Sequence, residues 1–335
     1  MSAVPRSNQA PQPQFIAALR GGFDAIASNI ALILFPVVLD LFLWLGPHFQ
    51  IKPIVTRALN ELASNPMFKS PQMDDILKAG GPYWMNWAEH FNIASALRTF
   101  PVGISSLMSS TQPIDSPFGE PAMISIGSGS VALGLWVLFT VIGLFLGSLY
   151  FGAVAKVIPG QNIPYNLGQE IGDVVQVYLL AFSLVVLLAV ILIPSFILLS
   201  FLALISTTIA QIAFLFLTLL LVWILVPLIF SPHGIFIYHQ NAWRSMLTSV
   251  RLVRFIVPGT GLFILSVIVL SQGLNLLWQT PPASSWLGLV GVAGHAFVTT
   301  ALLAASYVYY RDANRWVQEF LQSKLGAQPQ VPQAP

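Results

Sequence analysis

From Val174 to Trp243 the chain carries no Asp, Glu, Lys or Arg. A helix needs roughly 20 apolar residues to cross a hydrocarbon core about 30 Å thick. This run is therefore long enough to cross a membrane, turn and return. A soluble domain keeps about a quarter of its residues charged. Here the figure is 8%, with 56% hydrophobic residues and a mean hydropathy of +0.78. The fold class expected is all-α: a polytopic transmembrane helical bundle.

Composition removes several functions. A formal net charge of +2 is too weak a balance for a nucleic-acid partner. The absence of Cys excludes disulfides, thiolate metal sites and Cys nucleophiles. His48, His90, His233, His239 and His295 show no HExxH or related spacing, and Asp74, Asp75 and His90 have no metal-ligand spacing. No Walker A loop, Rossmann glycine pattern or facing haem-type His pair is present, so no cofactor and no metal are expected. Phe23–Gly46 is longer than a signal-peptide core of about 7–15 residues, and no A-x-A site follows it. It reads as a first span that stays. Residues 1–13 and 326–335, rich in Pro, Gln and Ala, read as disordered tails around a membrane domain over 14–325.

The length rule parses the apolar blocks into six spans, near Phe23–Gly46, Ser130–Val154, Val175–Leu199, Thr207–Phe230, Ile256–Gln279 and Trp286–Tyr310. Pro194 predicts a kink in the third. The turn between the third and fourth falls near Ser200–Ser206, apolar enough to allow a re-entrant bend. Six spans put both termini on one side. That side collects Arg6, Arg20, Lys156, Arg244, Arg251, Arg254, Arg311, Arg315 and Lys324. By the positive-inside rule it is the cytoplasm, and the expected location is the cytoplasmic membrane. Trp44, Trp278 and Trp286 at outer ends, and Phe255, Tyr307, Tyr309 and Tyr310 at inner ends, fit headgroup-level belts.

Three inner-side segments share an i, i+4, i+7 apolar spacing: Leu19, Phe23, Ile26; Leu167, Ile171, Val174; and Trp243, Leu247, Val250. They read either as three copies of an interfacial helix leading into a hairpin or as ordinary amphipathic lead-ins. The basic residues Arg244, Arg251 and Arg254 of the last are expected to contact anionic lipid headgroups.

Ala242–Arg254, its apolar hairpin and the ending Tyr309-Tyr310-Arg311-Asp312 resemble bacterial six-span proteins of unknown function. That group is similar to the membrane domain attached to some glycerophosphodiester phosphodiesterases. The resemblance covers roughly 130–317. With no phosphodiesterase domain and no carboxylate cluster to hold its metal, it implies a fold and a membrane, not an activity.

The external loop, Pro47–Gly129, is expected to hold helices at Pro53–Ser64 and Tyr83–Leu97, the second with Trp84, Trp87 and Phe91 at helical spacing. They read as a lid over the bundle or as amphipathic helices lying on the membrane face.

Ionisable groups inside a bilayer are costly and often functional. Asp40, Gln211, Gln272, Asn275 and His295 interrupt the spans at similar outer depths, roughly 6–14 Å from the boundary at the helical rise. The inner halves offer no equivalent set. Asp40 and His295 could pair across a cavity completed by Gln272 and Asn275, or all five could make interhelical hydrogen bonds. Gly143 and Gly147 form a GxxxG, and Gly288, Gly291 and Gly294 line the last span; both predict close helix packing, or a face for a second copy.

Three functions follow. The first is a non-enzymatic accessory, scaffold or lipid-handling protein, with membrane lipids and a membrane-protein partner or a second copy as partners. It expects no cavity between spans. The second is a transporter or permease subunit, with a water-accessible cavity reaching Asp40 and His295. The third is an intramembrane hydrolase, with a nucleophile such as Ser128 or Ser130 within reach of His295.

Overall fold

The computed structural model describes residues 13–66, 71–161 and 166–326. The expected tails lie outside these residues except for Pro13 and Gly326. In chain order the elements are α1 Phe15–Ala27, a 3-10 turn Ile30–Ile33, α2 Leu34–Leu45, β1 His48–Gln50, α3 Lys52–Ser64, α4 Pro71–His90, a 3-10 helix Ile93–Leu97, α5 Met108–Thr111 and β2 Met123–Ser125. Then come α6 Gly129–Lys156, α7 Leu167–Ile205, α8 Thr207–Leu225, a 3-10 turn Val226–Leu228, α9 Ser231–Tyr238, α10 Ala242–Phe255, α11 Val257–Trp278 and α12 Gly288–Gly326. Helices α6, α7, α8 with its continuation to Tyr238, α11 and α12 are each long and apolar enough to cross a membrane. The count is five, or six if the bent pair Phe15–Ala27 and Ile30–Leu45 is one span.

The first span is the main correction. Instead of one helix over Phe23–Gly46, the chain bends by 92° between α1 and the helix that follows. Ser28 Oγ donates to the Asp24 carbonyl and Asn29 Nδ2 to the Ala25 carbonyl, both at 2.9 Å. Asn29 thus meets the Ala25 carbonyl with its side chain while its backbone N–H turns to the Ile26 carbonyl at 3.0 Å, so the α-helical ladder of α1 ends there.

The turn expected over Ser200–Ser206 contracts to Ser206, whose extended backbone (φ −162°, ψ 126°) separates α7 from α8. Helix α7 continues through Pro194. The second of the three similar segments, Leu167–Val174, is simply the start of α7, whereas α1 and α10 are separate helices. In α10, Ala242, Ser245, Met246, Ser249, Leu252 and Val253 are buried, while Trp243 and Leu247 are exposed.

Two compact units make up the chain. One comprises 1–29, 152–269 and 301–335. In it α1 lies against α12 so closely that a Cβ on Gly22 would sit 2.3 Å from the Ala305 nitrogen and 2.6 Å from the Ala301 oxygen. Phe263 stacks on Tyr309 with centroids 4.4 Å apart, and Phe230 stacks on the same ring at 5.9 Å. Tyr307, Tyr309 and Tyr310 are fully buried. They are core residues rather than the headgroup belt that their position predicts.

The other unit comprises 30–151 and 270–300. Its segment between α2 and α6 is tied by a feature too short to show as alternation: β1 and β2 pair in parallel, His48 opposite Met123. Asn92 Oδ1 accepts from the Phe49 and Ala94 amides, each at 3.0 Å, which fixes the 3-10 helix against β1. Helix α3 matches expectation, while α4 is longer than expected and ends at His90, before Leu97. The glycine stripes are filled from within the unit. A Cβ on Gly143 would sit 2.4 Å from the Leu97 oxygen, and one on Gly147 would sit 2.9 Å from the Gly103 Cα. The GxxxG thus receives the loop backbone. Gly288 faces the Trp44 ring, and Gly291 and Gly294 face Trp278. Trp44 is fully buried, its indole N–H donating to the Ala283 carbonyl at 3.0 Å, while Trp286 stays half exposed.

Candidate functional site: an apolar groove and the polar residues around it

The five polar residues do not form one cluster. Gln211 belongs to the first unit and the other four to the second. Gln211 and Gln272 are exposed on their helices. Asp40 and His295 are buried but take separate partners. Asp40 Oδ1 accepts from Ser106 Oγ at 2.5 Å and the Met108 amide at 3.0 Å, and Oδ2 accepts from the Leu107 amide at 3.2 Å. The carboxylate thus caps the short α5 from a neighbouring helix, supplying acceptors to amides that have no intrahelical partner. His295 Nδ1 pairs with Asn275 Oδ1 at 2.8 Å, so the α11–α12 contact is an interhelical hydrogen bond. Ser128 and Ser130 bond to each other at 2.9 Å on an exposed segment.

Beside Asp40 the surface opens into a groove of about 580 Å³, within the roughly 300–1,000 Å³ of ligand pockets. Helix α2 contributes Leu34, Val38 and Phe42, spaced i, i+4, i+8, and α6 contributes Phe139, Ile142 and Leu146. Leu97 and Ile104 close it on the loop side. Every lining residue is apolar. The first of the three functional readings expected no cavity between spans; this groove departs from that, and its lining contains neither Asp40 nor His295. The two helical stripes are present in the sequence. The pairing of α2 with α6 depends on the glycines of α6 accepting the loop backbone, and no local pattern announces that.

A second polar set, around α9 and α10, was not expected from the sequence. Ser231, His233, Ser245, Ser249 and Thr260 are all buried in the first unit. Pro227 and Pro232 interrupt the helix between α8 and α9. Two carbonyls of this interrupted stretch accept from hydroxyls of α10: Ser249 Oγ donates to the Pro227 carbonyl at 2.7 Å and Ser245 Oγ to the Ser231 carbonyl at 2.5 Å. His233 Nε2 meets Ser306 Oγ at 2.7 Å, while the Ser306 hydroxyl is 2.6 Å from its own Leu303 carbonyl. Among the described residues the buried Nδ1 of His233 has no hydrogen-bond partner, so no carboxylate or carbonyl backs the ring on the side away from Ser306 as the third group of a triad would. The serines at i and i+4 are the trace of this joint that α10 carries in the sequence.

Arg244, Arg251 and Arg254 are exposed beside Trp243 and Leu247, and the Arg254 guanidinium lies 5.5 Å from the Trp223 ring centroid. In the segment between α2 and α6, Lys52 bridges Glu89 at 3.0 Å, and that contact holds the Glu89 carboxyl below its usual range. Burial lowers the His48 imidazole from its usual value, opposed by the hydrogen bond from Nε2 to the Leu43 carbonyl at 2.9 Å.

No protein-family model, curated protein or solved structure matches the chain.

Proposed function

We propose that the chain is a six-span accessory protein of the bacterial cytoplasmic membrane, with both termini in the cytoplasm, and that it handles lipid. One observation carries the lipid reading: the groove between α2 and α6 is lined by apolar side chains alone. Its walls belong to helices whose outer faces are themselves apolar and exposed, among them Leu34, Val38 and Ile142. In a membrane the solvent for such faces is acyl chain, so the natural occupant of the groove is an acyl chain. The transporter reading loses its support because Asp40 and His295 are each engaged elsewhere. The hydrolase reading has no hydroxyl nucleophile at His295: the hydroxyl of Thr299 donates to the His295 backbone carbonyl, not to its ring.

The test is lipid retention on the full-length protein, purified in detergent and weighed intact. A lipid that survives detergent exchange is expected, and Val38→Trp should release it by filling the groove from an exposed position. Equal retention by the variant would sink the reading. A reporter that is active only when exported, fused after Leu325, is expected to be silent; activity there would overturn the orientation.

A further inference from the structure

The lipid reading can be carried to the headgroup. Leu97 closes the groove, and the next residue, Arg98, is exposed. Its Nη1 donates to Ser110 Oγ of α5 at 2.9 Å. The amide end of α5 is in turn held by Asp40, the neighbour of the groove residue Leu39. The guanidinium is therefore tethered at the loop-side margin of the groove. Among the described residues it forms no ion pair. Asp40 is within electrostatic reach, but its two oxygens already serve Ser106, Leu107 and Met108, and its side chain is fully buried. It cannot swing out to neutralise the arginine. By contrast Lys52, also on the segment between α2 and α6, has its own carboxylate in Glu89.

An exposed guanidinium with unused donors matches the oxygens of a phosphate, which it can hold by two parallel hydrogen bonds. An apolar groove beginning one residue away matches an acyl chain. We infer that the groove and Arg98 together bind one glycerophospholipid of net negative headgroup, with its phosphate on Arg98 and one acyl chain between α2 and α6. Net negative charge follows from Asp40: the acid within electrostatic reach of Arg98 is sequestered by Ser106, Leu107 and Met108, so it offers nothing to the ammonium of a zwitterionic headgroup.

This inference rests on the lipid reading, and the experiment separates the two. The full-length protein in detergent is mixed with phosphatidylglycerol or phosphatidylcholine of identical acyl chains, and bound lipid is counted by intact mass. Phosphatidylglycerol should be retained about fivefold better, the size expected of one basic residue acting on one anionic headgroup. Arg98→Gln should bring the two lipids level, and Arg98→Lys should keep part of the preference. Val38→Trp should lower both lipids. If Arg98→Gln leaves the ratio unchanged while Val38→Trp lowers both, the headgroup inference is wrong and the lipid reading stands. If Val38→Trp changes neither, the lipid reading itself falls. Displacement of phosphatidylglycerol by millimolar glycerol phosphate would show that the phosphate alone is recognised, and would overturn the joint site.

Discussion

Asp40 shows how one residue can be conspicuous in a sequence and still be misread. Its acidity inside an apolar run marks it at once, but its partner Ser106 is 66 positions away. The chain pattern cannot show that a loop will fold back onto the helix. Its work is structural: a buried carboxylate that gathers one hydroxyl and two amides. Asp40→Ala leaves those donors unpaired and should cost about 2–3 kcal/mol. The expected readout is a lower melting temperature in detergent together with new proteolysis near Ser109–Gln112. Asp40→Asn keeps an acceptor and should lose less. Gly22 makes the complementary point about space. A Cβ there would sit 2.3 Å from a backbone nitrogen of α12, which cannot move as a side-chain tip can. Gly22→Ala is therefore expected to destabilise by about 1–3 kcal/mol. Gly172→Ala, where nothing lies within 4 Å, should be neutral or slightly stabilising, as helical Gly→Ala changes are. Melting curves of the two variants side by side decide this.

At the scale of elements, the long apolar helices were legible and the short polar joints were not. The limits of α6 and α11 fall within two residues of those expected, because lipid requires an unbroken apolar length. The bend after α1 turns on Ser28 and Asn29, two ordinary residues whose side chains happen to take α1's carbonyls. The protein-facing side of α10 was not legible, because Ser245 and Ser249 look like surface residues. Both are buried and donate to the carbonyls of Ser231 and Pro227. The pairing of β1 with β2 has only three residues per strand, too few for alternation to register. It also holds His48, whose imidazole is buried and resists protonation. Its folded value lies below the ordinary 6.5, so its stabilising contribution is full above that pH and is lost as pH falls through the folded value. Protection of the Phe49 and Gln50 amides, taken relative to their intrinsic exchange rates, should therefore fall in excess of the rest of the segment as pH drops below about 6.5. In His48→Gln that excess should vanish; an identical excess in the variant would contradict the assignment to His48.

For the molecule as a whole, membrane residence and helical architecture could be read from composition alone, and the site could not. Sequence analysis looked for function in the polar exceptions, on the sound ground that such residues are costly in lipid. The structure engages Asp40, Asn275 and His295 in hydrogen bonds and leaves two of the exceptions on the surface. What remains distinctive is apolar: a groove whose lining is chemically indistinguishable, residue by residue, from any lipid-facing surface. It is recognisable only once α2, α6 and the loop segment are brought together. The account centres on an acyl chain held there. The most direct measurement is cross-linking with a phospholipid carrying a photoactivatable group in its acyl chain, followed by peptide mapping. Adducts concentrated on Leu34–Phe42 and Phe139–Leu146, and lost in Val38→Trp, are predicted. Adducts spread evenly over the exposed apolar faces of α7, α8 and α11, with no excess at the groove, would contradict it.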